Sequence, residues 1–265
     1  MDLELEILTR RPAGTPRGPR LLFVHGICVG AWVWEHHWLP RMAEAGYAAH
    51  AVSLRGHGGS PGRADLPRHT LADYTRDLAT AAARIGGPLV VVGHSLGGAV
   101  VQNWIRGGGR PLGMGLIAAV PPWGLAPSTW RMALTAPALL GEILKTSFGG
   151  RPDPRVLRRG LFSEDAAHDA LAAFERRASA ESGRVGAELQ GWPPFAPLPW
   201  QAPATFVLGG ADDRFVPADE VFRTGLYYGA APVILPRMAH AVMLEPRWRA
   251  AADALLGWLD RLPAR

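Results

Sequence analysis

Cysteine is almost absent from this chain of 265 residues, and long apolar runs are missing. Cys28 is the only cysteine, which excludes an intrachain disulfide and a zinc site built from cysteines. No run approaches the ~20 apolar residues that span a bilayer. Residues 1–11 also lack the apolar block of a secretory signal peptide. These absences predict a cytoplasmic protein with no insertion into a membrane.

Lysine is equally scarce, since Lys145 is the only lysine among the 28 basic residues. The formal net charge of +5 would suit an anionic partner. The arginines are scattered, however, and the longest adjacent runs are pairs such as Arg158-Arg159. Because nucleic-acid binding needs a concentrated basic face, the sequence predicts no nucleic-acid partner. The oligomeric state is left open.

Short, β-rich apolar runs alternate with helical patterns along most of the chain, which indicates an α/β fold. The run at residues 89–93 lacks polar alternation, as expected of a parallel strand that is covered on both faces. Residues 71–85 and 247–262 each carry an apolar stripe at helical spacing. The other predicted strands cover residues 20–25, 47–53, 114–120, 204–209 and 232–235.

One stretch, residues 122–199, breaks this alternation because it has no convincing strand. It contains helical patterns separated by Gly and Pro, and it is too long for a loop in a compact domain. We therefore predict a helical insertion that lies over the sheet. The chain would then consist of a core, residues 1–121 and 200–265, and an inserted helical domain.

A Gly-x-Ser-x-Gly motif occupies residues 93–97, between a predicted buried strand and a predicted helix. This is the context of a nucleophile elbow, in which a serine sits on a strained turn above the carboxyl edge of the sheet. The glycines at both ends leave room for the neighbouring strand and helix. We predict Ser95 as a nucleophile and the backbone N–H of Leu96, at a helix N-terminus, as an oxyanion donor.

A serine nucleophile needs a base and an acid that orients the base, and in this fold the acid and then the histidine follow the serine. His240 is the only histidine after residue 209, so we predict it as the base. The acid is expected in the loop after the strand at residues 204–209, where Asp212 and Asp213 are adjacent. Asp213 fits better, four residues before Pro217, and Asp212 is the alternative.

With these motifs the chain resembles the α/β-hydrolase superfamily over essentially its whole length. Residues 25–28, His-Gly-Ile-Cys after a strand, resemble the family's oxyanion loop, which implies the N–H of Ile27 as the second oxyanion donor. Residues 54–60 are similar to the family's Gly-rich loop. The resemblance implies a mostly parallel central sheet with helices on both faces and a helical cap, residues 122–199, inserted after the sixth strand.

Residues 30–34, Gly-Ala-Trp-Val-Trp, are similar to plant-type esterases and hydroxynitrile lyases. Those lyases use a lysine directly after the histidine and a threonine near the oxyanion loop, where this chain has Ala241 and Gly26. Ser95 argues against dehalogenases and epoxide hydrolases of this fold, which use an aspartate nucleophile. The acid loop at residues 212–217 is similar to that of cap-bearing C–C bond hydrolases.

The motifs and the resemblance together predict a serine hydrolase that cleaves a carboxylic ester, thioester or lactone with an apolar moiety. No metal or organic cofactor is expected. The alternatives are the same site used for C–C cleavage, cyclisation or acyl transfer, and a non-catalytic receptor for small molecules. Trp32, Trp123 and Trp130 are the candidates for lining an apolar pocket for a small-molecule substrate.

Overall fold

A seven-stranded sheet forms the centre of the protein in a computed structural model that describes residues 3–147, 150 and 153–262. Its strands are β1 (Ile7–Arg10), β2 (Arg20–Val24), β3 (Ala49–Val52), β4 (Leu89–His94), β5 (Gly113–Ile117), β6 (Ala204–Gly210) and β7 (Val233–Leu235). Their order across the sheet is β1-β3-β2-β4-β5-β6-β7. β1 is antiparallel to β3, and all other neighbours in this sheet are parallel.

The central strands are the most deeply buried part of the sheet. Every residue of β4 and β5 is buried. In the parallel register, Val91 of β4 lies opposite Leu22 of β2 and Met114 of β5. The apolar runs without polar alternation therefore form parallel strands that are covered on both faces, as predicted.

Ten α-helices complete the described part of the chain. They are α1 (Trp38–Glu44), α2 (Leu71–Ile85), α3 (Leu96–Arg106), α4 (Ala126–Thr135), α5 (Pro137–Ser147), α6 (Pro154–Leu161), α7 (His168–Arg177), α8 (Gly183–Glu188), α9 (Ala218–Tyr228) and α10 (Trp248–Leu259). Short 3-10 helices cover Ala31–Trp34, Arg63–Arg68 and Pro199–Gln201. α2 packs on α3, and α1 packs on α10. No helix within the described ranges has the length and apolar character needed to cross a membrane.

Helix α2 shows how local sequence fixes an element. Thr70 is its N-cap, and the Thr70 hydroxyl accepts a hydrogen bond from the N–H of Asp73. The carboxylate of Asp73 accepts the N–H of Thr70 in return, at 2.8 Å. This capping box satisfies two backbone donors at the helix start, and the apolar stripe that follows packs into the core.

The inserted segment, residues 122–199, lies between β5 and β6 and contains helices α4 to α8, with no strand among its described residues. The helical character of this segment agrees with the prediction. It follows the fifth of the seven described strands, counted along the chain. The resemblance gave the same position as after the sixth strand of the family.

Candidate active site

Ser95 occupies a sharp turn between the end of β4 and the start of α3. Its backbone has φ 51° and ψ −119°, a conformation that L-residues rarely adopt outside strained functional turns. The N–H of Ser95 donates to the carbonyl oxygen of Ile117 at the end of β5, at 3.1 Å. The turn is therefore held by the neighbouring strand, and Ser95 lies above the carboxyl edge of the sheet.

The two glycines of the motif are required by close backbone approach. A Cβ atom at Gly97 would overlap the backbone carbonyls of Val24 and His25, and a Cβ at Gly93 would overlap the backbone of Gly97. Neither overlap can be relieved by rotating a side chain. The start of α3 can therefore lie against β2 only with glycine at position 97, and the turn itself can close only with glycine at position 93.

We expect Gly97→Ala to lower the free energy of unfolding by about 2 kcal/mol or more, because the added methyl group forces the elbow and β2 apart. Urea denaturation followed by circular dichroism measures this loss. Gly141→Ala is the matched control, since a Cβ at Gly141 in α5 meets nothing within 4 Å. That control should be neutral or slightly stabilising. Equal stability of the two variants would contradict the packing argument.

His240 and Asp213 form a buried pair in the loops that follow β7 and β6. His240 Nδ1 lies 2.7 Å from Asp213 Oδ2, and both residues are at least 95% buried, with exposed fractions of 2% and 5%. The other carboxylate oxygen, Oδ1, accepts the N–H groups of Phe215 and Val216 at 2.7 and 2.9 Å. The carboxylate is thus fixed by the backbone and aimed at the imidazole.

The two adjacent aspartates differ in burial and contacts. Asp212 is exposed, whereas Asp213 is the residue that contacts His240. The role of Asp213 as the acid, which the sequence favoured on spacing, stays a prediction.

The second ring nitrogen of His240, Nε2, is buried and has no hydrogen-bond partner among the described residues. His240 and Ser95 line the same cavity. The ring of Phe215 stacks on the imidazole, with 4.9 Å between the ring centroids. A histidine that is held on one side by a carboxylate and unpaired on the other is arranged to take and return a proton.

The loop after β2 lies directly against the elbow. A Cβ at Gly26 would come within 2.7 Å of His94 Nδ1 and 3.1 Å of the Ser95 Cβ, so only glycine permits this approach. The backbone amides of Ile27 and Leu96 have no acceptor among the described residues. Ile27 lines the cavity beside Ser95. Both amides are therefore available to an acceptor beside Ser95.

His94, inside the motif, makes a structural hydrogen bond that the sequence did not predict. Its Nε2 lies 2.9 Å from the backbone carbonyl oxygen of His240, and only a protonated nitrogen can pair with that oxygen. Burial holds the pKa of His94 well below its usual value, and the neighbouring His240 lowers it further. His94 is therefore neutral, and it fixes the backbone that carries His240 without adding charge beside it. The only sequence signal for this contact was the position of His94 in the predicted turn.

The inserted segment contributes a buried carboxylate, Glu181, that contacts the loop after β2. Glu181 Oε2 lies 3.1 Å from His57 Nε2, and Glu181 Oε1 accepts the hydroxyl of Tyr74 at 2.6 Å. The backbone N–H of Cys28 donates to Glu181 Oε2 at 3.3 Å. We call Glu181, His57 and Tyr74 the Glu181 cluster. Sequence reasoning missed it, because its members are far apart in the chain and form no motif.

Burial alone would raise the pKa of Glu181, but His57 and the hydrogen bonds around it outweigh burial and lower that pKa to about 2. Burial also lowers the pKa of His57, yet the adjacent carboxylate raises it overall. Each group therefore favours the charged form of the other.

Cys28, in the loop after β2, is hydrogen-bonded to the inserted segment through both its backbone groups. Cys28 is buried and has a positive φ of 61°, which is uncommon for a residue with a side chain. Its carbonyl oxygen accepts the N–H of Ser179 at 2.8 Å, and its N–H points to Glu181. Both partners belong to the inserted segment, which therefore fixes the residue that follows Ile27.

Two cavities of unequal size meet at Ser95. The small cavity has a volume of about 40 Å³ and is lined by His240, Val33, Leu161, Phe174 and Met243, among others. The large cavity has a volume of about 340 Å³ and lies under α4, α5 and α8. Four residues border both cavities: Ile27, Ser95, Ile143 and Phe215.

None of the three tryptophans predicted to line the pocket borders either cavity. Trp130 is 73% exposed, because it lies on the face of α4 opposite Ser128 and Met132, which do line the large cavity. The indole N–H of Trp123 donates to Glu220 at 2.8 Å. Trp32 is buried under the guanidinium of Arg177. The prediction of these substrate contacts is therefore corrected.

Metal-ligating side chains do not gather around this site. In residues 3–147, 150 and 153–262, no group of three or more His, Cys, Asp or Glu side chains is placed to hold a metal ion.

Comparison with known proteins adds independent findings. Residues 21–253 match the model of the alpha/beta hydrolase family. The chain is 30% identical over 227 residues to the pimeloyl-[acyl-carrier protein] methyl ester esterase of Chromobacterium violaceum, covering 83% of this chain and 78% of that protein. It is 40% identical over 80 residues to esterase PIR7B of rice, Oryza sativa subsp. japonica, and that match covers 29% of each protein. The chain thus spans about a third of the length of the rice esterases it matches.

Solved structures share the whole fold. A thermophilic esterase from Thermogutta terrifontis superposes with a TM-score of 0.72 at 20% identity, covering 99% of this chain and 95% of that one. An esterase from Exiguobacterium antarcticum gives a TM-score of 0.77 at 15% identity, with coverages of 97% and 96%. At these identities the likeness concerns the fold alone. With the family match over residues 21–253, the Gly-x-Ser-x-Gly turn and the mostly parallel sheet, this chain belongs to the alpha/beta hydrolase family.

Proposed function

We propose that the chain is a serine hydrolase that cleaves carboxylic esters with an apolar moiety, with Ser95 as nucleophile, His240 as base and Asp213 as orienting acid. One observation carries the proposal: His240 is fixed by Asp213 at 2.7 Å, while its Nε2 is unpaired at a cavity shared with Ser95. This is the arrangement that activates a serine hydroxyl.

In the first step His240 Nε2 takes the proton from Ser95 Oγ as this oxygen attacks the ester carbonyl. The carbonyl oxygen becomes an oxyanion, which the N–H groups of Ile27 and Leu96 stabilise by about 3 kcal/mol each. His240 then gives the proton to the leaving alcohol oxygen, and the bond between carbonyl carbon and that oxygen breaks. Water repeats the sequence on the acyl-enzyme and releases the acid.

The inserted segment acts as a cap in this proposal, over a hydrolase core of residues 1–121 and 200–265. Its helices supply Leu157 and Phe174 to the small cavity, Met132 to the large one and Ile143 to both. A cap lined by such side chains excludes water and favours an apolar small-molecule substrate. No step requires a metal or an organic cofactor.

Relatives that bear esterase names support an ester as the bond cleaved. The Chromobacterium violaceum relative that covers most of the chain is a methyl ester esterase, and the rice relative is an esterase. Ala241 after the histidine and Gly26 in the oxyanion loop remain the residues that argue against lyase chemistry.

A serine-directed fluorophosphonate probe tests the proposal. We expect the probe to label the purified protein, because it needs an activated serine and an oxyanion site, and we expect Ser95→Ala to abolish labelling. Ser163→Ala is the matched control, since Ser163 borders neither cavity, and it should be labelled like the parent. No labelling of the parent, or equal labelling of Ser95→Ala, would reject the proposed nucleophile. Titration of the acid released from alkyl esters then tests the bond cleaved.

A further inference from the structure

The two cavities at Ser95 differ in volume, and this difference limits which part of an ester each cavity can hold. At about 40 Å³, the small cavity has room for about three water-sized groups. The large cavity, at about 340 Å³, has room for a chain of many carbons. Both border Ser95, so an ester whose carbonyl carbon lies at Ser95 Oγ extends one arm into each.

The position of His240 decides which arm is which. A general acid must lie within hydrogen-bond reach of the atom it protonates, so the leaving oxygen of the ester lies on the His240 side of Ser95. His240 and the residues after it, Ala241, Met243 and Leu244, line the small cavity, and none of them lines the large one. The alcohol part of the ester therefore points into the small cavity, and the acyl part points into the large one.

The large cavity suits a mainly hydrocarbon acyl chain. Among its lining are Val120, Leu125, Met132, Leu140 and Leu189. Its polar side chains are mostly engaged with each other or with the core. Thr129 donates to Gln190 at 3.0 Å, and Glu181 is paired with His57 and Tyr74.

We propose that the preferred substrates are esters of a short alcohol, such as methanol or ethanol, with an acid that has a long apolar acyl chain. This inference rests on the proposed function, and it adds the direction in which the ester binds. Its chemical basis is the combination of cavity size with the place of His240, so the reverse ester, with a long alcohol and a short acid, should fit poorly.

Methyl octanoate and heptyl acetate test the proposal directly, because they are isomers with the same atoms and nearly the same hydrophobicity. Acid release from each is measured by titration with the purified full chain. We expect kcat/KM to be at least about tenfold higher for methyl octanoate, since a pocket that cannot admit added methylenes discriminates by this order. Equal values, or a preference for heptyl acetate, would overturn the proposal.

A truncation in the inserted segment tests the small cavity. Leu161 lines only the small cavity, whereas the exposed Leu134 on α4 lines neither cavity. Leu161→Ala should lower the ratio of kcat/KM for methyl octanoate to that for heptyl acetate at least about fivefold, because it opens the alcohol site. Leu134→Ala, the matched control, should leave that ratio unchanged. Because both esters are measured on the same preparation, the ratio does not depend on the fraction of folded enzyme.

The outcomes distinguish this inference from the proposed function. Hydrolysis of both isomers at equal rates leaves the serine hydrolase standing and rejects the assigned direction. A ratio that Leu161→Ala leaves unchanged or raises also rejects the assigned direction. Absence of hydrolysis of either isomer and of ethyl acetate, together with absence of fluorophosphonate labelling, rejects the function itself.

Discussion

Replacing His240 with alanine is expected to reduce kcat for ester hydrolysis by about 10⁶-fold, the order seen when the histidine of a serine triad is removed. The reason is that His240 Nε2 is unpaired at the cavity shared with Ser95, while Nδ1 of the same ring is held by the Asp213 carboxylate. Without it, neither the attack of Ser95 nor the departure of the alcohol has a proton carrier. Steady-state kinetics on methyl octanoate measure the loss, and circular dichroism shows whether the fold is kept. A loss below tenfold would contradict the assigned role.

The adjacent aspartates supply a matched pair for the orienting acid. Asp213→Asn should lower kcat by about 10⁴-fold, because the amide no longer holds the imidazole in the tautomer that accepts a proton at Nε2. Asp212→Asn makes the same chemical change one residue earlier, at an exposed side chain, and should leave kcat within about twofold of the parent. Similar losses in both variants would show that the effect comes from the loop and not from the contact with His240.

Glu181→Gln is expected to lower the free energy of unfolding by about 3 to 5 kcal/mol. The substitution keeps the shape of the side chain but removes one charge of a buried ion pair and leaves His57 uncompensated, which is the costly way to break such a pair. The backbone of Cys28 also loses a charged acceptor. Urea denaturation measures the stability. We also expect kcat on methyl octanoate to fall, because Glu181 accepts the N–H of Cys28 in the loop that carries Ile27.

The stability difference between parent and Glu181→Gln should depend on pH in a defined way. The pKa of Glu181 is lowered to about 2 in the fold, so its contribution is present above its unfolded pKa, about 4.5, and is lost as pH falls toward 2. The pKa of His57 is raised in the fold, so its contribution is present below about 6.5 and is lost as pH rises through the raised value. The difference should therefore be largest between about pH 4.5 and pH 6.5.

Glu175→Gln provides the control for charge alone, because Glu175 lies on the exposed face of α7. Its stability should stay within about 0.5 kcal/mol of the parent at every pH. If Glu181→Gln were as stable as this control, the pair of Glu181 and His57 would not stabilise the contact between the inserted segment and the core. The same would follow if the stability difference between Glu181→Gln and the parent did not vary with pH.

Several elements could be predicted from the sequence because their signals are local. The apolar run at residues 89–93 becomes β4 with one residue more, and residues 71–85 form α2 with the predicted bounds. The strand predicted at residues 114–120 ends at Ile117, since Ala118 has a positive φ of 42° that no strand accommodates. β1 was missed, because it is a short, partly exposed edge strand whose residues carry little apolar signal.

The candidate site also has residues that the sequence predicts and residues that it does not. Ser95 and the preference for Asp213 over Asp212 followed from spacing along the chain, whereas the 2.7 Å contact between Asp213 and His240 is visible only in the fold. Glu181 could not be predicted, since the residues it pairs with are more than 100 positions away. The predicted contact of Trp130 with the substrate was wrong for a related reason. A position in a helical sequence does not say which face of the helix borders the cavity.

The scarcity of lysine has a practical consequence in the folded protein. The ammonium group of Lys145 lies on α5, 3.6 Å from Glu142, with a half-exposed side chain. Its neighbours on the same helix, Ile143 and Leu144, border the large cavity. An amine-reactive fluorophore would therefore attach, apart from the α-amino group, at a single position above the acyl site. Its emission would report the arrival of a long-chain ester without any engineered label.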